Sequence, residues 1–367
     1  MKYLFVNSVA GIGSTGRIVA EQSRDLNKAG HRCLIAYGRE KANIDDIESF
    51  RICNKAEFLF NVLQTRVCDN NGFSIEGATK RLIQKIEDYD PDVIWLHNLH
   101  GYYINVQTLF DYLKTCEKRI YWTLHDCWAF TGHCAYYTAA RCNQWQTLCR
   151  RCSELKRYPA CFGCSNVKKN FEKKRDCFTH VPNMTLVTPS YWLKTQVEQS
   201  FLRDYSVEVV HNHIDANVFK PTVSSIRKEY GIDTKKMLLG VAAKMTDRKG
   251  FLDFLELSKY LDNSFVIVLV GLNKQQLKRL PNNIIGIQNT SSAEKLASLY
   301  SAADIFINLT HEDNYPTVNL EAQACGTPVI TYDVGGSPES CKAENIISEG
   351  DTVALVNRIH TITSGII

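Results

Sequence analysis

Two series of short, apolar, β-branched runs, each run followed by a helical pattern, constrain this chain more than any other feature. In the first series "KYLFVNSV" leads through a glycine turn into "RIVAEQSRDLNKAG", and "HRCLIAYG", "DVIWLHNL", "RIYWTLHD", "TLVTPS" and "SVEVVHN" follow with helical segments among them. Continuous apolar strands are covered on both faces, and strand–helix alternation closes a mostly parallel sheet. A turn-rich stretch, "NHIDANVFKPTVSS", precedes a second series containing "MLLGVAAK", "SFVIVLVG", "IIGIQN", "DIFINL" and "PVITY". The expected fold is α/β: two doubly wound Rossmann-like domains facing a central cleft. Residues 1–218 form the first, with a cysteine-rich insertion at about 127–180; residues 219–367 form the second, with a hinge near Phe219 to Pro221.

The chain has 367 residues, 44% hydrophobic and 22% charged, which is enough for two cores and excludes disorder. "MKYLFVNSVAG" is too short an apolar run for a signal sequence, and nothing approaches the roughly 20 apolar residues of a membrane span. A cytosolic protein is expected. The net charge of +4 is too small to argue for nucleic acid. Basic residues do gather in "RRCSELKRYPACFGCSNVKKNFEKKR", either as a solvated helical face with its loop or as peripheral contact with an anionic membrane surface.

Ligands of such sheets bind beyond the carboxyl ends of the strands, so residues just after each strand carry the functional argument. "GIGSTGR" fits G-x-G-x-x-G, with Gly13 and Gly16 placed to let backbone amides approach a phosphate or sugar. The same loop suits a dinucleotide, and an oxidoreductase using NADP is a rival reading, with Arg39 as its only support for a 2′-phosphate. A purely structural turn is the third. After "MLLGV", Lys244, Arg248 and Lys249 stand before an amphipathic helix, where cations oppose the helix dipole unless an anion lies between them. In "HEDNYPTVNLEAQACGTPV", Pro316 suits a first helical position, Asn314 and Tyr315 form the entry turn, and Gly326 ends the helix. Its free amides would receive a diphosphate. Thr317 and Glu321 share a face, so Glu321 would reach a ribose diol, while Asp313 would meet a sugar hydroxyl through charge-assisted hydrogen bonds. Glu312 reads as a solvated neighbour. The aspartates of "DYDPD" precede a strand and read as turn formers.

Taken in order, these motifs resemble glycosyltransferase family 4, retaining nucleotide-sugar transferases of the GT-B fold. "HEDNYPTVNLEAQACGTPVI" is similar to the family's Glu-x7-Glu signature, with Asp313 in place of the first glutamate. "AAKMTDRKG" is similar to its Arg/Lys phosphate motif, with Lys244 at the usual arginine, and "VGGSPE" to its following glycine loop. "LHNLHGYY" and "WTLHDCWAFTGHC" look like a bacterial subgroup that builds colanic acid, capsule and O-antigen. The resemblance implies sugar transfer, with anomeric retention, from a nucleoside diphosphate donor to a hydroxyl of a polyprenyl-linked saccharide in the cytoplasm, at the inner membrane face. It implies that His125 contacts the donor sugar near the reacting carbon and that His97 and His100 line the acceptor side. No cofactor is expected for catalysis. Four clustered thiols, Cys134, Cys142, Cys149 and Cys152, could hold a structural zinc or remain free cysteines, including a redox pair. Two departures stand out: His213 takes a position where the family commonly has glycine, and "RIHTITSGII" ends short of the usual returning helix. A non-catalytic sugar-nucleotide scaffold is the remaining alternative.

Overall fold

A computed structural model describes residues 1–365. The chain divides into two compact units, Met1–His211 and Asn212–Ile367.

The first unit opens with β1 (Lys2–Asn7), α1 (Gly13–Lys28), β2 (Arg32–Tyr37), β3 (Glu48–Arg51), α2 (Lys55–Cys68) and α3 (Glu76–Tyr89). Then come β4 (Val93–Leu96), α4 (Val106–Leu113) and β5 (Arg119–Thr123). After a long irregular segment the chain returns through α5 (Val167–Phe178), β6 (Met184–Thr188), α6 (Tyr191–Glu198) and β7 (Val207–Val209). The strands pair in parallel in the order β3-β2-β1-β4-β5-β6-β7. The order reverses between β1 and β4, where Val6 pairs with Leu96, so the crevice of this sheet lies beyond Asn7 and Leu96.

The sequence pattern predicts one helical stretch between β2 and β4, yet the chain inserts β3, α2 and α3 there. β3 is an edge strand, "ESFR", with no apolar run to announce it. α2 escapes because its outward side is apolar, so its burial does not follow its hydrophobic pattern.

The irregular segment between β5 and α5 is ordered by an aromatic core in which Trp128, Phe130, Tyr137 and Trp145 are buried, with Tyr137 stacked on Trp145 at 4.8 Å between ring centroids. Buried polar groups tie it to the helices. Lys174 of α5, wholly buried, donates from Nζ to the carbonyls of Trp128 (2.8 Å) and Thr131 (3.1 Å) and lies 3.6 Å over the Trp128 ring. His133 Nδ1 pairs with Asp69 Oδ1 (2.5 Å), with both side chains inaccessible to solvent.

In the second unit α7 (Ile226–Glu229) precedes β8 (Lys236–Val241), α8 (Phe251–Leu257), β9 (Phe265–Val270), α9 (Lys274–Leu277) and β10 (Ile284–Ile287). α10 (Ala293–Ala302), β11 (Ile305–Asn308), α11 (Thr317–Ala324), β12 (Val329–Tyr332), β13 (Ile346–Ile347) and α12 (Thr352–Thr363) complete it. Its parallel order is β10-β9-β8-β11-β12-β13, reversing between β8 and β11. Phe219, where the sequence suggests a hinge, is instead buried in this unit's core, 6.3 Å from the Tyr300 ring. The units divide between His211 and Asn212, before Phe219.

Candidate functional site

The switch point between β8 and β11 brings together the loops that the sequence singles out in the second unit. Beyond β8, Lys244 is exposed, and Asp247–Lys249 form a short 3-10 turn closed by Gly250 in the left-handed region (φ +81°). Glycine is required there, since a Cβ would meet the Leu309 carbonyl oxygen at 2.3 Å. This close approach seats the β8 loop on the β11 loop. Lys249 Nζ pairs with Asp313 Oδ2, and Arg248 Nη1 donates to the Glu312 carbonyl (2.8 Å). The remaining Asp313 oxygen accepts the Asn314 amide (2.9 Å), and its carbonyl accepts the amide of Gly336 (3.2 Å). A Cβ on Gly335 would strike that carbonyl at 2.1 Å, so the "VGGSPE" loop must carry glycine to lie against Asp313.

α11 begins one residue later than expected: Pro316 is its N-cap, with extended backbone, and Thr317 is the first helical residue. Its amino-terminal amides still open beside the Asp313–Tyr315 turn, where the Asn212 side chain donates to the Tyr315 carbonyl (3.0 Å). Glu321 is buried and accepts a hydrogen bond from the Tyr300 hydroxyl (3.0 Å). Glu312 is buried too, 2% exposed, which corrects its reading as a solvated neighbour. The turn at His213 has ordinary negative-φ backbone, so a non-glycine residue fits it without strain.

Sequence reasoning passes over His311, which anchors this loop system. Its Nε2 meets Asp253 Oδ2 (2.9 Å) and its Nδ1 meets Glu349 Oε1 (2.5 Å), while its amide donates to the Arg248 carbonyl (2.9 Å). The Asp253 hydrogen bond, opposed by partial burial and reinforced by Glu349, raises His311 to about 9, so it is cationic at neutral pH. Only its place three residues after a buried strand hinted at a role.

In the first unit, His97 and His125 follow β4 and β5. His97 Nδ1 and His125 Nε2 are 3.0 Å apart with rings stacked at 5.3 Å, which requires one nitrogen to donate and the other to accept. Burial lowers His97 well below the usual histidine range, with His125 adding to it, and lowers His125 to about 4, where Asp126 opposes the shift and His100 adds to it. Both are therefore neutral at pH 7. His100 Nε2 pairs with Asp126 Oδ2 (2.7 Å), and its Nδ1 lies 3.0 Å from the Tyr158 hydroxyl. Burial alone would raise Asp126, but the charge and hydrogen bond of His100 outweigh it and the carboxyl falls below its usual value. His97, His100, His125 and Asp126 line a cavity of about 10 Å³, room for roughly one water molecule. Asp126 and Tyr158 are additions that the sequence signals only through the "HD" dipeptide and no pattern, respectively.

The glycine loop after β1 has a structural task. Gly11 has φ +72° and a Cβ there would meet the Asn43 carbonyl oxygen at 2.2 Å, whereas Gly13 (φ +64°) opens α1 with nothing within 4 Å of a Cβ position. Gly16 packs the helix on Val9. In the cysteine segment, Cys134 and Cys152 hydrogen-bond to each other, which raises Cys134 and lowers Cys152 to about 7. Among the described residues no group of three or more His, Cys, Asp or Glu is arranged to hold a metal ion. Cys134 and Cys149 belong to the first unit's apolar core, with Cys142 and Cys152 packed against it, and the aromatic rings and buried Lys174 give this segment order of their own. The aspartates before β4 make turns: Asp90 caps α3 with φ 49° and Asp92 accepts the Lys2 amide (2.7 Å).

Two parallel α/β units, each reversing strand order at a loop-bearing crevice, define the GT-B fold. Solved structures agree across 99–100% of the chain and 90% of each neighbour: sucrose-phosphate synthase from Thermosynechococcus elongatus (TM-score 0.71, 14% identical) and Anabaena HepE in complex with UDP-glucose (TM-score 0.67, 15% identical). Residues 223–365 match the family described as "Glycosyl transferases group 1", so the second unit is a group 1 glycosyltransferase domain. WcaC of Escherichia coli (strain K12), named as a colanic acid biosynthesis glycosyl transferase, is 24% identical over 287 residues, 72% of this chain and 66% of its own length. Alpha-maltose-1-phosphate synthase of Mycolicibacterium smegmatis is 27% identical over 41% of this chain and 42% of its own length. The chain thus spans less than two thirds of the length of these curated relatives.

Proposed function

We propose that the chain is a retaining glycosyltransferase that moves a sugar from a nucleoside diphosphate sugar to a hydroxyl of a polyprenyl-linked surface polysaccharide, in the cytoplasm. The observation that carries the reading is the Lys249–Asp313 pair, held at the β8/β11 switch point beside the amino terminus of α11. A cation, a carboxylate and free helix amides in one place suit an anionic diphosphate with a hydroxyl-rich group attached to it. Colanic acid biosynthesis in WcaC's name and the UDP-glucose complex of HepE support the donor and product class.

In this reading Lys244, Lys249 and the α11 amides, with Thr317 at the first turn, receive the diphosphate. Arg248 holds the Glu312–Pro316 loop in place. Asp313 turns from Lys249 to the sugar hydroxyls, and Glu321, steadied by Tyr300, takes the ribose. Gly13, with nothing within 4 Å of its Cβ position, leaves the backbone open to the donor, while Gly16 packs α1. His125, neutral and oriented by His97, meets the donor sugar, and His97 and His100 border the acceptor. The bond from the anomeric carbon to the phosphate oxygen breaks as the acceptor oxygen bonds to the same face. The departing phosphate takes the acceptor's proton, and the cations stabilise its developing charge.

Lys249→Ala should lower kcat/KM about 100-fold and Glu321→Gln should weaken nucleotide binding about tenfold, with melting temperatures near wild type. Wild-type turnover in both would overturn the site. Donor binding without transfer or slow hydrolysis, on any lipid-linked acceptor, would leave a scaffold. The NADP reading is disfavoured because it leaves Lys249, Asp313 and Glu321 without a task.

A further inference from the structure

α2 is amphipathic in the wrong sense for a helix on a water-facing surface. At about 100° per residue, Leu59, Phe60, Leu63 and Val67 fall in one stripe, and all four are about half exposed (53%, 50%, 56% and 49%). The opposite side carries Asn61 and Thr65, both wholly buried, with Thr65 Oγ1 donating to the Asn61 carbonyl (2.9 Å). Its inward side holds these polar residues beside the partly buried Phe58, while a stripe of four large apolar residues turns outward.

A loop extends the apolar face. The amide of Phe162 donates to the Arg66 carbonyl (2.8 Å) and that of Cys164 to the Val67 carbonyl (2.8 Å). Gly163 lies so close between them that a Cβ would meet the Val67 oxygen at 2.1 Å. This fixes Phe162, 67% exposed, at the end of the stripe. Single exposed apolar residues are ordinary, but five together on a helix and the loop docked to it mark an interaction surface. Its rim is cationic. Lys55 and Arg66 are exposed on α2 itself, and Lys168 and Lys169 are exposed at the start of α5, which Asn166 ties to the Cys68 carbonyl (2.7 Å). The only acidic residue of α2, Glu57, is engaged by Arg81.

We propose that this face docks on an anionic lipid bilayer, with α2 lying in the plane of the interface, its apolar stripe and Phe162 at the acyl boundary and the surrounding cations at lipid phosphates. No helix among the described residues is long and apolar enough to cross a membrane, so the contact lies on the surface. The inference deepens the lipid-linked acceptor reading by giving it a docking surface, and it is tested without relying on transfer.

The full chain is sedimented with vesicles of phosphatidylcholine alone and of phosphatidylcholine mixed with phosphatidylglycerol. Wild type should pellet with the anionic vesicles, less so as salt rises. Leu63→Glu should reduce that partition at least about tenfold with an unchanged thermal melt, since its side chain faces outward. Failure of wild type to pellet, or equal pelleting of Leu63→Glu, overturns the proposal. A dimer that Leu63→Glu dissolves, without vesicle binding, overturns it as well and makes the face a contact between copies of this chain. Transfer to a water-soluble acceptor, assayed without vesicles, keeps the readings separate: its absence alongside intact vesicle binding counts against the enzyme reading alone.

Discussion

His97 in the first unit and His311 in the second occupy comparable places, just beyond the strand that lies next to each unit's first strand across the switch point. They are used in opposite ways. His97 is buried against another neutral imidazole, where charge is excluded by desolvation. His311 lies between two carboxylates and keeps its proton. The difference follows from surroundings rather than residue type: a histidine facing aromatic rings and a second histidine discharges, while one facing Asp253 and Glu349 charges. An imidazole pair closed off from water and a loop anchored between two carboxylates are these two solutions.

The contrast extends to polar groups generally. The first unit stakes its irregular segment on buried pairs, the second on a half-exposed clamp. Asp69→Ala should therefore have the largest effect. It strands buried His133 and the Asn166 amide, and should cost about 3 kcal/mol or more. All five tryptophans, Trp95, Trp122, Trp128, Trp145 and Trp192, lie in the first unit, so urea unfolding followed by tryptophan fluorescence reads that unit alone. A loss below about 1 kcal/mol would mean that aromatic packing suffices. Lys174→Met, which removes both donors to the Trp128 and Thr131 carbonyls, should follow at about 1–3 kcal/mol by the same probe.

The two histidine sites should also split the pH dependence. His125 drops from an ordinary value of 6.5 to about 4 on folding. Between those values the unfolded chain binds more protons, so the first unit loses stability as pH falls from about 6.5 to 4. His311 rises from 6.5 to about 9, so its contribution is fully present below 6.5 and is lost as pH rises through 9. Tryptophan fluorescence should therefore show the acid-side loss, and the alkaline-side loss should appear only in circular dichroism or calorimetry. An alkaline loss that moves with the tryptophan signal would break the comparison. His311→Ala should remove the alkaline limb and cost about 1 kcal/mol, modest because Glu349 is 44% exposed and solvent screens that half of the clamp.

Both sheets were legible in the sequence because buried parallel strands read as continuous apolar runs such as "FVIVLV" and "IFIN". The candidate-site loops of the second unit were legible for a related reason: Lys249 and Asp313 follow such strands, and the glycines at 250 and 335 stand where backbone meets backbone. What escaped lacks a periodic signature. β3 is polar at an edge, α2 hides Asn61 and Thr65 while showing Leu63, and the Asp126–His100–Tyr158 and His311 networks join residues distant in the chain, which spacing cannot pair. Phe219 lies in a turn-rich stretch, and only three-dimensional packing shows that it belongs to a core.

The smallest expected effect tests the turn that joins the two series. His213 replaces a glycine common in the resembling family, and its backbone φ is not positive. A glycine introduced there gains no access to a conformation the turn uses and only enlarges the freedom of the unfolded chain. His213→Gly should therefore lower stability, by about 0.4–1 kcal/mol, in the calorimetric transition of the second unit and leave tryptophan fluorescence unchanged. A rise in stability would mean that the turn favours left-handed backbone at this position, and that the histidine is a strained departure rather than a neutral one.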